Sequence, residues 1–206
     1  NMRTKLRWIH QYTTKGQLLD YGSGNGDFAQ AAQKLGWDVS VFETSPNALE
    51  ILKQRQLNVI EKPLQSNQHD VITLWHVFEH INNPNEVLAS FFKSLKPGGL
   101  LVLAVPNAAS WDAKHYNSFW AAYDVPRHRW HYNKNAISLL GSKAGFQLIR
   151  IKNMFWDAFY ISLLSEHYRN AKAPWTKALC KGLFANLKGW KQTNTSSLTF
   201  FLQKPK

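Results

Sequence analysis

The chain has 206 residues, 44% of them hydrophobic and 18% charged, enough for one sizeable core and too few for two comfortable domains. Its 25 Lys and Arg outnumber 13 Asp and Glu, and the excess is one-sided: residues 1–103 hold ten basic and nine acidic groups, residues 104–206 fifteen and four. Nine Trp, twelve Phe and seven Tyr exclude intrinsic disorder. The single cysteine, Cys180, excludes an intrachain disulfide and a Cys-based zinc site and favours a reducing compartment, the cytoplasm. The longest unbroken apolar run, residues 100–106, falls far short of the ~20 residues of a membrane span. No apolar signal-peptide core follows Asn1-Met2-Arg3. Only a short helical stretch precedes the first strong motif, so a further N-terminal piece is an expectation.

In chain order, short apolar runs alternate with amphipathic segments, the pattern of a parallel sheet wrapped by helices. A helix over 3–13 leads to a strand at 17–20, and helices over 26–35 and 46–56 flank a second strand at 39–42. Strands at 58–60 and 71–75 follow, then a helix over 84–95 and a strand at 100–105. Ser45-Pro46 and Asn83-Pro84-Asn85-Glu86 carry cap signals for two of these helices, and Gly98-Gly99 turns the chain into its next strand. Between residues 108 and 132 the periodicity fails, yet Trp111, Tyr116, Phe119, Trp120, Tyr123, Trp130 and Tyr132 fall there. So long and aromatic a loop is expected to be functional, with a satellite hydrophobic cluster as the plainer alternative. Helices over 136–144, 155–170 and 175–187 and strands at 146–152 and 197–203 complete the chain.

The most informative residues are Asp20-Tyr21-Gly22-Ser23-Gly24-Asn25-Gly26, where an apolar strand runs through three alternate glycines into a helix. This arrangement brings backbone close to a ligand and leaves the first helical N–H groups free. Glu43, at the end of the second strand, is placed to accept hydrogen bonds from the hydroxyls of a ribose. A dinucleotide fingerprint requires a sixth-position glycine, but Asp27 stands there and would meet a pyrophosphate badly. S-adenosylmethionine fits better, with a ribose for Glu43 and an ammonium group for Asp20.

The glycine loop, Glu43-Thr44-Ser45-Pro46, the segment from Asp70 through Trp75-His76-Val77-Phe78-Glu79-His80-Ile81, and Leu95-Lys96-Pro97-Gly98-Gly99-Leu100 follow one another in an order that resembles class I S-adenosylmethionine-dependent methyltransferases. Residues 17–107 carry this resemblance. It looks closest to the bacterial small-molecule branch that includes ubiquinone-biosynthesis O-methyltransferases. The resemblance implies a Rossmann-like, doubly wound α/β fold with helices on both faces, and a seven-stranded sheet whose antiparallel last strand is inserted beside the sixth. It also implies cofactor contacts at Asp20, Gly22, Ser23, Gly24, Asn25, Gly26, Glu43, Thr44, Trp75 and His76. The acidic residue that such proteins often use for adenine is replaced by Glu61-Lys62-Pro63-Leu64, which leaves packing on Leu64.

Residues 76–80 match the H-x-x-E-H arrangement of one zinc-peptidase class, but a strand ending at His76 denies that motif its helix. A His115, His128, His131 metal set rests on spacing alone, and no metal is expected. Methyl transfer is an in-line displacement that needs alignment and exclusion of water. If the acceptor is a hydroxyl, a neutral histidine can take its proton, and His76, His128 and His131 are the catalytic candidates.

The chain thus reads as one domain, with residues 1–107 binding the cofactor and residues 108–206, through the aromatic loop 108–132 and basic helices over 155–190, facing the acceptor. Basic and aromatic residues interleave from 150 to 191, pointing to an anionic or lipid-linked small acceptor met at a membrane surface. A solvated basic face is the plainer account, and nucleic acid the less favoured one. The function expected is methyl transfer from S-adenosyl-L-methionine, leaving S-adenosyl-L-homocysteine, with O-methylation favoured. The alternatives are a catalytically inactive cofactor-binding protein of the same fold, or an RNA methyltransferase; a dehydrogenase ranks behind both.

Overall fold

The computed structural model describes residues 2–60 and 64–206. Glu61, Lys62 and Pro63, part of the segment that replaces the adenine-facing acid, lie outside the described residues. The strands are β1 (Gln17–Tyr21), β2 (Asp38–Phe42), β3 (Asn58–Val59), β4 (His69–Trp75), β5 (Leu95–Pro106), β6 (Gln147–Asn153) and β7 (Ser197–Gln203). They form one sheet in the order β3-β2-β1-β4-β5-β7-β6, parallel from β1 to β5, with β7 antiparallel between β5 and β6. The expected doubly wound sheet with an inserted antiparallel last strand is therefore present.

Eight α-helices accompany it among the described residues: α1 (Met2–Ile9), α2 (Asp27–Lys34), α3 (Pro46–Gln54), α4 (Pro84–Ser94), α5 (Trp111–Tyr116), α6 (Lys134–Lys143), α7 (Asp157–Tyr168) and α8 (Pro174–Trp190). The strands are apolar on both faces because alternate side chains serve two cores. Leu19, Ile72, Leu74, Leu101 and Leu103 enter one cluster, while Leu18, Val71, Leu100 and Val102 enter the other.

The chain order reverses between β1 and β4, and a crevice opens at such a switch point beyond the carboxyl ends of the strands. The glycine loop follows β1 there and His76 follows β4. Gly26 precedes α2 in the left-handed region, with φ of 80°, so the helix begins one residue later than its pattern suggests. Ser45 does not cap α3 with its hydroxyl; its backbone N–H instead donates to Glu43. The Asn83 side chain likewise bonds Glu86 rather than the helix backbone.

The segment 108–132 is not a bare loop. It folds into α5 and two short 3₁₀ turns, Asn117–Phe119 and Ala121–Tyr123, pieces too short to show a helical period in sequence. Tyr116 and Trp120 are fully buried with Ala113, Ala122 and Ile161 in a third apolar cluster, as the plainer alternative anticipated. A Cβ on Gly26 would lie 2.5 Å from Leu57 and 2.6 Å from Leu52, in a backbone conformation that L-residues rarely adopt. Gly26→Ala is expected to cost about 2–4 kcal/mol, read as a fall in urea midpoint with an unchanged slope.

Candidate active site

Glu43 directly follows β2 beside the glycine loop and is bound to it. One carboxylate oxygen accepts the Gly24 N–H at 2.7 Å, and the other accepts those of Thr44 and Ser45 at 2.7 and 3.0 Å. A carboxylate offers about four acceptor positions, so one remains on the Gly24 side for a sugar hydroxyl. Thr44 reaches the site through its backbone N–H alone. Leu64 is half-buried against the same core cluster as Tyr21 and Phe42. Two polar atoms here, Ser23 Oγ and Trp75 Nε1, are buried without a hydrogen-bond partner. With the open position on Glu43, these two polar groups have capacity for a polar ligand, so the residues present fit a nucleoside cofactor.

Asp20 lies inside β1, fully buried, with Thr73 Oγ1 donating to it at 2.7 Å. Burial pushes its carboxyl up to about 7, against the pull of Thr73 and Lys5. The ammonium group near Asp20 belongs to Lys5 of α1, a residue that local sequence gave no reason to single out. Its Nζ stands 3.9 Å above the Trp75 ring, and burial lowers its pKa while the charges of Asp157 and Asp20 resist.

His76 occupies a left-handed turn at the end of β4, with φ of 58°. Its Nε2 is 3.0 Å from Asp157 of α7 and its Nδ1 is 3.6 Å from Glu79. Burial disfavours the charged ring, but the two carboxylates outweigh it and raise the pKa to about 9. The imidazolium form, with both nitrogens protonated, therefore prevails at neutral pH. This corrects the expectation of a neutral base at His76, because a protonated ring has no lone pair to offer.

His128 has the opposite character. Burial lowers its pKa, and Nδ1 meets the Ala122 carbonyl at 2.8 Å. A carbonyl only accepts, so Nδ1 carries the proton and Nε2 keeps its lone pair. That nitrogen lies 3.8 Å from Asp124 and 4.0 Å from Glu79. His131 leaves the site: it is exposed, its Nε2 donates to the Tyr123 carbonyl at 2.9 Å, and its ring packs edge-on against Tyr123.

A cavity of about 460 Å³ is lined by His76, Glu79, Asp124, Arg127, His128 and Asp157 and by an apolar wall that includes Ala122, Trp156, Tyr160, Ile161, Leu164 and Tyr168. A second cavity of about 280 Å³ runs along Lys5, Trp8, Asn153, Met154 and Phe155. The two share His76, Trp156 and Asp157. The linings of both stop short of the glycine loop.

The turn after β4 is a 3₁₀ turn, Phe78–His80, which denies the zinc-peptidase pattern its helix. Glu79 and His80 tie that turn to residues 127–130: the Glu79 carbonyl accepts from the backbone N–H groups of Arg129 and Trp130, and His80 Nδ1 meets the Arg127 carbonyl. His115 stacks on Trp111 and does not join His128. The fold instead gathers Glu79, His80 and His128, whose ligand atoms all lie within 4.8 Å of one another. Spacing along the chain had not brought this trio together.

The glycine loop and Glu43 thus stand together at the switch point, and a cavity opens at the end of β4. The model of the methyltransferase domain matches residues 3–151, and the chain belongs to that family. It is 31% identical over 101 residues to a mitochondrial ubiquinone biosynthesis O-methyltransferase of Schizosaccharomyces pombe, covering 43% of this chain and 37% of that one. It is also 31% identical over 116 residues to the ubiquinone biosynthesis O-methyltransferase of Coxiella burnetii, covering 50% of each. The chain thus spans half or less of the length of these relatives. Among solved structures it resembles a SAM-dependent methyltransferase from Archaeoglobus fulgidus, with a TM-score of 0.67 at 14% identity over 98% of this chain and 92% of that one. It also resembles phosphoethanolamine N-methyltransferase 2 of Haemonchus contortus in complex with S-adenosyl-L-methionine, with a TM-score of 0.63 at 22% identity over 99% of this chain and 53% of that one.

Because the folded pKa of His76 lies above the unfolded value near 6.5, its contribution to stability is complete below pH 6.5 and is lost as pH rises through about 9. The melting temperature is expected to fall across that window. His76→Asn, which tolerates the left-handed backbone, should flatten the fall.

Proposed function

We propose that this protein transfers the methyl group of S-adenosylmethionine to a hydroxyl of a small acceptor with an apolar, aromatic or lipid-linked body. The family, the ribose-facing Glu43 and the two orphaned polar atoms beside the glycine loop support the cofactor. When bound, S-adenosylmethionine supplies a methyl carbon activated by its sulfonium. Glu43, the glycine loop, Asp20, Lys5 and Trp75 hold that cofactor, while the cavity beyond His76 aligns the acceptor and keeps water out.

The observation that carries O-methylation is the pairing of opposite histidines on one cavity wall. His128 presents a bare Nε2 to receive the acceptor proton, whereas the His76 imidazolium bridges Asp157 and Glu79 and holds the wall in place. The cavity does not recommend an anionic acceptor, because Arg127 is paired with Asp124 at 2.7 Å and His76 with Asp157. Its apolar wall of Trp156, Tyr160, Ile161, Leu164 and Tyr168 suits an aromatic ring or an alkyl tail. Within this reading, segment 150–191 meets the membrane where a tailed acceptor resides.

S-adenosylhomocysteine is expected to raise the melting temperature, and Glu43→Ala to weaken its binding about 10- to 100-fold, measured by calorimetry. Wild-type protein that ignores S-adenosylhomocysteine sinks the cofactor assignment. In assays on phenolic acceptors with and without prenyl tails, kcat is expected to rise with pH to a plateau, with a midpoint below 6.5. His128→Gln should lower kcat by about 10²–10⁴-fold and abolish that acid limb. An unchanged limb in the variant removes His128 from the proton transfer.

A further inference from the structure

Of the two helices expected to be basic, only one is. α7 has no Lys or Arg, whereas α8 has Lys177, Lys181 and Lys188 and no acidic residue. Indeed no Asp or Glu occurs between residues 167 and 206. Other cations of the same region are hydrogen-bonded into the fold, Lys152 to Gln11 and Arg169 to the His115 carbonyl, whereas Lys181 and Lys188 lie over the Trp111 and Phe184 rings at 5.9 and 5.3 Å.

At 3.6 residues per turn, α8 divides its circumference three ways. Ala178, Gly182, Ala185, Asn186 and Gly189 are buried, and Gly182 permits close packing against Phe159 of α7. Beside that face runs a stripe of Trp175, Leu179, Leu183, Leu187 and Trp190, from 54% exposed at Leu183 to 70% at Trp175. The lysines take the remaining arc. An apolar stripe open to water costs free energy unless something covers it, and here its border is cationic with tryptophans at both ends, the composition of a helix lying in a lipid interface.

We propose that α8 docks on an anionic lipid bilayer, its stripe entering the headgroup–acyl boundary and Lys177, Lys181 and Lys188 meeting the lipid phosphates. Charge complementarity selects this occupant, since a face with five apolar side chains beside three lysines and no carboxylate suits a negatively charged, laterally fluid surface. Docking brings α7 with it. The exposed aromatics Trp156, Tyr160 and Tyr168 of that region line the larger cavity, so an acceptor anchored by its tail passes from bilayer to cavity along them. This inference deepens the acceptor class proposed above and rests on that reading for its biological sense; the docking itself is tested separately.

The protein is mixed with phosphatidylcholine vesicles, with or without phosphatidylglycerol, and sedimented. It is expected to pellet with the anionic vesicles and to be released as salt rises. Leu179→Glu with Leu183→Glu should abolish pelleting, and replacing Lys177, Lys181 and Lys188 by Gln should weaken it about a hundredfold. Both variants should keep the wild-type melting temperature and its response to S-adenosylhomocysteine, which separates a failure of docking from a failure of the cofactor reading. Wild-type protein that stays in the supernatant with anionic vesicles overturns the proposal. So does a wild-type dimer in solution that the Leu179→Glu, Leu183→Glu variant converts to monomer, because the stripe would then be a self-association face.

Discussion

One charged ring joins the sheet to α7. His76 leaves the end of β4 in a left-handed turn and stands between Asp157 of α7 and Glu79 of the following 3₁₀ turn. Both cavities meet at this contact, so the wall they share is an ion pair and not an apolar seam. The pair is partly buried, where each carboxylate is costly alone and the cation costs least beside both. The two neighbouring histidines differ in cause: carboxylates raise the pKa of His76, whereas burial lowers that of His128.

The lopsided charge takes a different meaning once the second half is folded. Residues 104–206 have only four acidic side chains, and each has a structural partner. Asp112 accepts from Trp120 Nε1, Asp124 binds Arg127, Asp157 binds His76 and Glu166 accepts from Tyr116. The acids sit within the fold of this half or on the cavity wall, while lysines remain on the outer face of α8. The net charge therefore describes the exterior of this half and not its cavity, which is apolar with paired ions.

The first half of the chain was legible because its structure is local and repetitive. Strands buried on both faces read as apolar runs, the glycines at 22, 24 and 26 announce a turn that other residues resist, and Glu43 follows at a fixed strand end. Segment 108–132 was opaque for the opposite reason: helical pieces of three to six residues carry no period, and what holds them is long-range contact such as Ser165 Oγ accepting the Ala121 N–H. His131 looked equal to His128 in sequence, yet one faces a cavity and the other a backbone carbonyl at the surface.

From the residues alone followed the alternation of strands and helices, the ligand loop and the class of cofactor, since all three depend on patterns within a few dozen residues, whereas the place of the antiparallel last strand was implied only by the family resemblance. Tertiary structure decided which histidine is charged, that Lys5 stands by Asp20, and that Glu79, His80 and His128 converge. Protonation depends on burial and on partners up to 81 residues away in the chain, as with His76 and Asp157, and no local pattern encodes those. It also resolved the excess positive charge into a lysine arc beside an open apolar stripe on one helix, because which face of α8 is buried is settled by α7 and not by α8 itself.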